Sequence, residues 1–568
     1  MKAGILFLPG CVALVLAAGC HMRKTVPAAP TPVAVSVPVA VPAPVLVPDE
    51  RVPKYILEGR MSLRRGRPAA AVRDFHRCLV IEPGNGECLD GKGRAQAAMQ
   101  HWEDAVSAWE ELSLQAPEDK ALANRLAAAR RAWEEHKRRR AKAALHFPIG
   151  TVSAPADAPL RLRLAARFQR YSTSTLSAAD VYDPDIDSPK SVVISTDGVT
   201  AYVNSLEGLR TVVYDAARPA KRGVIRHSFG AKHAGLFPGR EPWFGYKFSG
   251  DLPPEGPNVF NGKPVEGALS HGGRFLWVPY YRRNYDLDGT QPSAVAVINA
   301  AAGAIVRVLP SGPITKNVAA SPDGRYVALA HWGGNSVGFI DISSSEPAGF
   351  APAGLVVLGS TAPPAGAEGM DRDRECGLCV RGLAWSPDSK TLFAGCMGGA
   401  GGVAVIDAGR SGQPALTGRV ALGGNPRDLA VSPDGKWLFA ASSAAGAVIR
   451  AEVSRVKEAA SSGNGAGIAF SSAQVGGAPR SMRLSPNGKW LFVALNADSQ
   501  VAVVDAEKME VVARVGADSF PVGMDVSPDG RFLWVTSQGI DGAGGNSVGI
   551  YEITTVPPAP RHKVPPLP

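Results

Sequence analysis

One tight turn recurs seven times between residues 195 and 530 of this 568-residue chain, and five copies read Ser-Pro-Asp or Ser-Pro-Asn. Each copy separates two short apolar runs. Pro at the second position presets φ and Gly at the last tolerates positive φ, so each copy predicts a tight turn between antiparallel strands. The turns lie at 195–198, 270–273, 321–324, 386–389, 432–435, 485–488 and 527–530.

The spacing of these turns indicates a circular repeat. Successive turn serines are 75, 51, 65, 46, 53 and 42 residues apart, and a third apolar run follows most turns. A unit of about 42 residues with variable loops is the period of a propeller blade. The sequence therefore predicts a mainly β fold, a seven-bladed β-propeller over residues 155–555, preceded by a small all-α domain and followed by a Pro-rich tail at 556–568.

The seventh blade lacks a fourth strand of its own. The segment after Ile553 reads Thr-Thr-Val-Pro-Pro-Ala-Pro, which cannot pair as a strand. Residues 160–164 (Leu-Arg-Leu-Arg-Leu) alternate strictly, as a half-buried strand does. We expect this segment to complete blade seven and so to close the ring, which removes an exposed sheet edge.

The N-terminus has the pattern of a targeting segment. Lys2 precedes an apolar stretch that is short for a membrane span, and residues 16–20 read Leu-Ala-Ala-Gly-Cys. This motif resembles the bacterial lipobox, which implies a signal peptide at 1–20 and a lipid on Cys20. The chain is then expected in the cell envelope, at the outer membrane, facing the periplasm or the cell surface. A plain secretory signal is the alternative. Residues 21–50 are rich in Pro and predict an extended tether.

A second repeat lies at residues 51–146. Ala71, Val72, Phe75 and Pro83 recur 34 residues later as Ala105, Val106, Trp109 and Pro117. A 34-residue period of small residues, an aromatic and a terminal Pro resembles the tetratricopeptide repeat. This resemblance implies binding of a protein partner in the envelope; the alternative is that the helices only space and support the propeller.

The most specific local signal is a set of cations five residues before the turn serine. Blades two and seven have Val265 and Val522 there, whereas the other five blades have Lys190, Lys316, Arg381, Arg427 and Arg480. Innermost strands line the central channel, so these cations are expected at one channel rim. They predict a site for an anionic small molecule or an acidic polymer. In the alternative, each cation pairs with an acid such as Asp428 or Asp525, or is solvated.

Long insertions are predicted on that same face, at 216–264 and 359–380, and loops on a rigid scaffold often carry function. The face is expected to include further ligand-binding residues in loops: Tyr280, Tyr281, Arg282, Arg283 and His331.

The cysteines predict disulfides rather than a metal site. Cys376 and Cys379 have no second Cys or His pair, so a bridge from one of them to Cys396 is expected in an oxidising envelope. Cys78 and Cys88 either pair or lie in the core as thiols. We predict no metal, no cofactor and no catalytic residues, and the net charge of +10 is accompanied by no nucleic-acid motif.

The strings Pro-Arg-x-x-x-x-Ser-Pro-Asp/Asn-Gly at 426–435 and 479–488 resemble YVTN-type propeller repeats, whose fold overlaps with propeller lactonases and quinoprotein-dehydrogenase-like propellers. The leading hypothesis is a binding or assembly module without enzymatic activity. The alternatives are a lactonase-like hydrolase acting on an anionic small molecule, and a purely structural spacer.

Overall fold

The computed structural model of this chain divides into two units, Met1–Pro48 and Asp49–Pro568. The predicted signal peptide, Cys20, most of the predicted tether and most of the predicted tail lie outside the described residues. None of the helices in the described part is both long and apolar enough to span a membrane. The described residues are 49–141, 145–174, 177–218, 220–238, 243–248, 252–286, 289–359, 372–373, 376–399, 401–409, 413–463, 468–539 and 544–556.

Five helices precede the strands: α1 (Arg51–Arg64), α2 (Pro68–Ile81), α3 (Gly86–Ala98), α4 (Trp102–Gln115) and α5 (Lys120–Ala141). They form two hairpins, α1–α2 and α3–α4, which pack together through α2 and α3, and α5 packs against α4.

The two hairpins are built around matching contacts 34 residues apart. A Cβ on Gly59 would lie 2.7 Å from Cζ of Phe75, and one on Gly93 would lie 2.5 Å from Nε1 of Trp109. Glycine therefore lets the aromatic ring of each second helix approach the first helix closely. A disulfide between Cys78 and Cys88 joins the hairpins, which decides between the two possibilities left open by the sequence.

Seven sheets follow, and they confirm the seven-bladed propeller. The chain first forms β1 (Leu160–Gln169) and β2 (Asp180–Tyr182). Blade one contains β3 (Pro189–Ile194), β4 (Thr200–Ser205), β5 (Arg210–Asp215) and β6 (Ala220–Arg226). Blade two contains β7 (Ser228–Phe229), β8 (Phe260–Pro264), β9 (Ala268–Ser270), β10 (Phe275–Arg283), β11 (Ala294–Asn299) and β12 (Ala304–Pro310).

Blades three to six each have four antiparallel strands. Blade three contains β13 (Thr315–Ala320), β14 (Tyr326–His331), β15 (Ser336–Asp341) and β16 (Ala351–Val357). Blade four contains β17 (Val380–Trp385), β18 (Thr391–Cys396), β19 (Gly402–Asp407) and β20 (Ala415–Val420). Blade five contains β21 (Pro426–Val431), β22 (Trp437–Ser442), β23 (Ala447–Glu452), helix α6 (Val453–Ser461) and β24 (Phe470–Gln474). Blade six contains β25 (Pro479–Leu484), β26 (Trp490–Leu495), β27 (Gln500–Asp505) and β28 (Glu510–Gly516).

The recurring turn joins the first two strands of each blade except blade two, where it joins β9 and β10, and outside blade two it is held by its serine. In blade three, Ser321 Oγ donates to Asp323 Oδ1 at 2.6 Å and accepts the backbone N–H of Tyr326 at 2.9 Å. The same pair of bonds recurs in five other blades. Blade two differs, because Ser270 Oγ accepts the indole N–H of Trp277 at 2.9 Å.

The ring closes as the sequence predicted. Blade seven contributes β29 (Pro521–Val526), β30 (Phe532–Ser537) and β31 (Ser547–Thr555), and β1 pairs antiparallel with β31 from Leu160↔Thr555 to Gln169↔Ser547. The alternation of β1 decides its orientation: Leu160, Leu162 and Leu164 are buried in the core between blades six and seven, while the arginines between them are exposed. The first and last strands of the propeller thus belong to one sheet.

This closure gives a direct stability test. Leu162 is fully buried, so Leu162→Ala is expected to lower the free energy of unfolding by about 2–5 kcal/mol. Arg161→Ala, on the exposed face of the same strand, is expected to change it by less than about 0.5 kcal/mol. Urea or thermal unfolding followed by circular dichroism measures both. Equal effects of the two changes would contradict the closing role of β1.

Candidate functional site at the mouth of the central channel

A β-bulge at the start of the innermost strand orients each predicted cation. In blade one the pairing register shifts between Pro189 and Ser191, so Lys190 is the extra residue. Lys316, Arg427 and Arg480 occupy the same bulge in their blades, and in blade four Arg381 and Gly382 together lie opposite Gly395. Bulges commonly redirect a side chain next to a functional site.

A residue with left-handed backbone precedes each of these strands by one position. Positive φ is found there in six blades, at Ser188, Ile314, Cys379, Asn425, Ala478 and Phe520. The same local geometry therefore presents the bulge residue of six blades at the channel end opposite the Ser-Pro-Asp-Gly turns. We call Lys190, Lys316, Arg381, Arg427 and Arg480 the channel-mouth cluster.

Two members of the channel-mouth cluster have carboxylate partners that the sequence analysis did not identify. Lys316 Nζ lies 2.5 Å from Oδ1 of Asp373, and a guanidinium nitrogen of Arg381 lies 3.3 Å from Oε1 of Glu266. Asp373 comes from the insertion before blade four, and Glu266 follows Val265 in blade two. Its position beside Val265 was the only signal for Glu266 in the sequence.

Two other members of the channel-mouth cluster have no carboxylate partner among the described residues. Among the described residues, no carboxylate oxygen lies within 4.0 Å of Lys190 Nζ or of the Arg427 guanidinium. Lys190 is buried, and Arg427 is half-buried with its Nε enclosed and without a hydrogen-bond acceptor. A buried donor without an acceptor is unfavourable, so the Arg427 Nε is a strained feature of the mouth.

The electrostatics of the mouth follow from burial and from the nearness of like charges. Burial, followed by Arg480 and Arg381, lowers the pKa of Lys190 well below its usual value. Burial likewise lowers the pKa of Lys316 to about 8, against the opposing effect of Asp373. For Glu266, burial raises the pKa of the carboxyl even though Arg381 and Lys190 oppose this. Cations from four blades therefore interact across one channel end.

A second charged layer lies deeper in the channel. Arg483 contacts Asp428 at 3.3 Å and Asp525 at 3.8 Å. Each carboxylate also accepts a backbone N–H of the next blade: Asp428 from Met482 at 2.9 Å and Asp525 from Ile194 at 2.8 Å. These two acids thus join neighbouring blades and contact Arg483, not the channel-mouth cluster.

Two aromatic rings line the mouth near blade three. Lys316 Nζ lies 4.1 Å from the ring centroid of Tyr281 and 5.2 Å from that of Trp332. Arg282 lies over the Tyr281 ring at 4.5 Å. Tyr281 and Arg282 thus lie near Lys316, although they belong to strand β10 and not to the predicted loop. Trp332 was missed although it follows His331 directly.

Tyr280, Arg283 and His331 need correction, because they lie in strands β10 and β14 and not in loops. Tyr280 is fully buried and its hydroxyl lies 2.9 Å from Nδ1 of His227. The Arg283 guanidinium is enclosed between the rings of Phe248 and Phe260.

The environment of His331 is equally enclosed. Its Nε2 accepts the backbone N–H of Gly312 at 3.1 Å, its Nδ1 lies 3.0 Å from Ser336 Oγ, and burial lowers its pKa to about 3. His331 is therefore a neutral structural residue, and Tyr280 and Arg283 have structural roles in their enclosed positions. The sequence analysis placed these side chains on loops because it ended the strands too early.

The predicted bridge to Cys396 is also wrong. Cys376 is bonded to Cys379, and Cys396 is a buried free cysteine. The physical reason is the register of blade four: Cys396 pairs with Val380 and faces the apolar core between blades three and four. The left-handed backbone of Cys379 belongs to the turn that brings its sulfur to Cys376.

Comparison with known proteins adds little beyond the architecture. No protein-family model and no curated protein matches the sequence. The structure is similar to a chain of Kuenenia stuttgartiensis hydrazine synthase, with a TM-score of 0.45, 18% identity, and coverage of 68% of this chain and 100% of that one. A chain in the mitotic checkpoint complex has a TM-score of 0.45 and 12% identity over 72% of this chain and 99% of that one. The propeller domain of Myceliophteria thermophila Cps50 (Swd1) has a TM-score of 0.44 and 12% identity over 65% and 98%. We draw no functional argument from these likenesses.

The attraction between Lys316 and Asp373 predicts a bell-shaped pH dependence for the stability that the Asp373 carboxylate contributes. Lys316 and Arg282 keep the pKa of Asp373 below its usual value although burial opposes this, so the carboxylate stabilises the fold above the unfolded pKa of 3.8. That contribution is lost as the pH falls through the lowered pKa. It is also lost above a pH of about 8, where Lys316 releases its proton.

Asp373→Asn is therefore expected to cost about 1–2 kcal/mol of unfolding free energy at pH 6, discounted for partial exposure of the pair. The cost should shrink below pH 4 and above pH 9. Thermal unfolding across this range measures it, with exposed Asp157→Asn as the control. A cost independent of pH would argue against the ion pair.

Proposed function

We propose that this chain is a lipid-anchored envelope protein that acts as a binding module. Its channel-mouth cluster receives an anionic ligand, and its helical repeats bind a protein partner. The carrying observation is that Lys190 and Arg427 converge at one channel end with no carboxylate of the described residues within 4.0 Å. A seven-bladed propeller supports a binding or scaffold module, and the cations at the mouth favour binding.

An anionic ligand is proposed because the crowding of cations at the channel mouth is energetically unfavourable. Like charges that approach one another in a partly desolvated channel repel strongly. Glu266 and Asp373 offset part of this repulsion, beside Arg381 and Lys316. A spacer would require no such concentration of cations, because bulge positions also accept Val522 in blade seven. The repulsion that remains is what a bound anion would relieve.

The protein partner is proposed for the helical repeats. Val80 and Leu114 occupy equivalent positions 34 residues apart, on the second helix of each hairpin, and both are exposed, at 67% and 85%. Apolar side chains repeated at an exposed position support a contact surface for another protein. The resemblance to tetratricopeptide repeats also supports a protein partner.

The anchor is proposed from the lipobox-like residues 16–20 and the Pro-rich tether that follows. In this proposal the lipid on Cys20 is the chain's only contact with a membrane, and nucleic acid is not a partner. The tether would hold the propeller away from the bilayer, because Pro-rich segments are extended at about 3.1 Å per residue.

The enzymatic alternative, a lactonase-like hydrolase, has one supporting observation: Glu266, whose pKa is raised by burial, lies at the mouth beside Arg381. A carboxyl of this kind can act as a general acid or base. Hydrolysis of a lactone panel that is lost in Glu266→Gln, with anion binding retained, would favour the enzyme over the binding module.

Anion binding at the mouth is tested by charge removal. Isothermal titration of the full chain with citrate, sulfate and inorganic phosphate is expected to detect binding of at least one anion. Arg427→Gln and Arg480→Gln should each weaken it about tenfold or more, since a charge-assisted contact contributes roughly 1.5–3 kcal/mol.

Arg531→Gln is the matched control. Arg531 is an exposed arginine that follows the turn of blade seven, at the opposite end of the channel, so its removal should leave the affinity unchanged. Absence of binding for every anion, or equal weakening in the control, would refute the anion site.

The anchor is tested by fractionation of a Gram-negative host that expresses the chain. The unchanged chain is expected in the outer-membrane fraction, with the mass of a diacylated or triacylated Cys20 at its N-terminus. Cys20→Ser should move the protein to the soluble envelope fraction or leave it as an unprocessed precursor. Soluble recovery of the unchanged chain, without lipid mass, would show a plain secretory signal.

A further inference from the structure

The turn of blade two differs from the other six turns in residue type and in hydrogen bonding. In the other six, Asp or Asn lies two residues after the serine, and the serine Oγ donates to that side chain. In blade two this position is Gly272, which has no side-chain acceptor. Ser270 Oγ instead lies 3.0 Å from Nδ1 of His271 and accepts the indole N–H of Trp277 at 2.9 Å. Blade two therefore pairs its turn serine with an imidazole.

The orientation of the His271 ring is held by contacts with blades two and three. Its Nε2 lies 2.9 Å from the backbone carbonyl oxygen of Ser344, and its ring packs against Phe275 and Phe350 at centroid distances of 5.2 and 5.5 Å. Because a carbonyl oxygen can only accept, Nε2 carries the proton. In the neutral imidazole Nδ1 is then the acceptor, and the hydroxyl of Ser270 donates to it.

The backbone of His271 is strained at this position. Its φ is +53°, in the left-handed region that a non-glycine residue rarely adopts. Five other blades have Pro at the corresponding position, where the ring holds φ near −65°. A turn that only joined β9 to β10 would not require a strained histidine. The strain holds the imidazole beside the serine.

Ser270 and His271 line an open cleft of about 410 Å³ at the turn end of the channel. Its walls are the turns of blades one, two and three, at 196, 269–273 and 320–324. This volume lies within the range of ligand-binding pockets, about 300–1,000 Å³. Of the described residues that line the cleft, Asp323 is the one carboxylate and none is a lysine or an arginine. The cleft therefore fits a small molecule without negative charge.

We propose that Ser270 and His271 form a nucleophile–base pair that hydrolyses a small uncharged carboxylic ester in this cleft. A serine within hydrogen-bond reach of a base, with the base oriented by a third group, is the arrangement that acyl transfer requires. This activity goes beyond the proposed binding of an anion, and it belongs to the opposite end of the channel.

The reaction balances with water as the one co-reactant. As Ser270 Oγ forms a bond to the carbonyl carbon of the ester, its proton passes to Nδ1 of His271. The bond from that carbon to the alkoxy oxygen then breaks, and the departing alcohol takes the proton from Nδ1. Water attacks the acyl-serine in the same way and releases the carboxylic acid, while the proton returns to Ser270 Oγ. The carbonyl of Ser344 accepts from Nε2 throughout, which stabilises the imidazolium formed in each half of the reaction.

Ser321 provides an internal comparison within the same cleft. It also lines the cleft, and it is 5% exposed, against 6% for Ser270. Its Oγ donates to Asp323 and accepts a backbone N–H from Tyr326. A difference in reactivity between these two serines therefore reports the imidazole and not access to solvent.

The nucleophile is tested by labelling the full chain with a biotinylated fluorophosphonate, which reacts with activated serine hydroxyls. Peptide mass spectrometry is expected to find the adduct on Ser270 and at least tenfold less adduct on Ser321. Equal labelling of the two serines, or absence of label on Ser270, would overturn the proposal. This comparison uses the unchanged chain, so it does not depend on the folding of a variant.

The base is tested by His271→Asn. Asn tolerates left-handed backbone, so the turn is expected to keep its conformation. The rate of fluorophosphonate labelling and the rate of p-nitrophenyl acetate hydrolysis should each fall roughly 100-fold or more, which is the usual contribution of a general base. Ser270→Ala should lower the hydrolysis rate by at least the same factor.

Ser432→Ala is the matched control. It removes the turn serine of blade five, whose Oγ donates to Asp434 and which lies outside the cleft. Both rates are expected to stay unchanged in this variant. Unchanged rates in His271→Asn, or an equal loss of both rates in Ser432→Ala, would refute the nucleophile–base pair.

Discussion

Pairing of β1 with β31 is the interaction on which the rest of the structure depends. Each blade alone is a small sheet of four to six strands with exposed edges, and only a closed ring turns seven innermost strands toward one axis. Lys190 belongs to blade one, whereas Arg427 and Arg480 belong to blades five and six. These side chains come near one another because residues at opposite ends of the propeller sequence share a single sheet. The candidate site is thus a consequence of closure.

The orientation of the cations has a separate and local cause. In six blades a residue with positive φ precedes the innermost strand, and a non-glycine residue in this conformation is strained by roughly 1 kcal/mol or more. The bulge that follows makes the next side chain an extra residue in the ladder. Six blades keep this geometry whether the bulge residue is charged or, as at Val522, apolar. The blade architecture therefore sets the position of the bulge side chain, and the residue type at that position in each blade sets its charge.

The parts of the structure that the sequence predicted well are those carried by periodic patterns. The recurring turn indicated seven blades, and the alternation of residues 160–164 indicated the closing strand. The fixed distance from the turn serine located Lys190 and Arg427 at the mouth. Glu266 and Asp373 were missed because they lie in the two irregular segments, next to the split first strand of blade two and in the insertion before blade four. Tyr280 and His331 were misplaced because a strand that is buried on both faces shows no alternation by which its end can be recognised.

These irregular segments explain why the mouth is asymmetric. Blade two replaces the regular bulge with two short strands and places Glu266 beside Arg381 of blade four. The insertion before blade four places Asp373 beside Lys316. Both departures from the repeat therefore pair cations of blades three and four with carboxylates. Lys190 and Arg427 belong to blades that keep the regular geometry, and no carboxylate of the described residues lies within 4.0 Å of their charged groups. The irregular segments thus decide which of the repeated cations has an acidic partner.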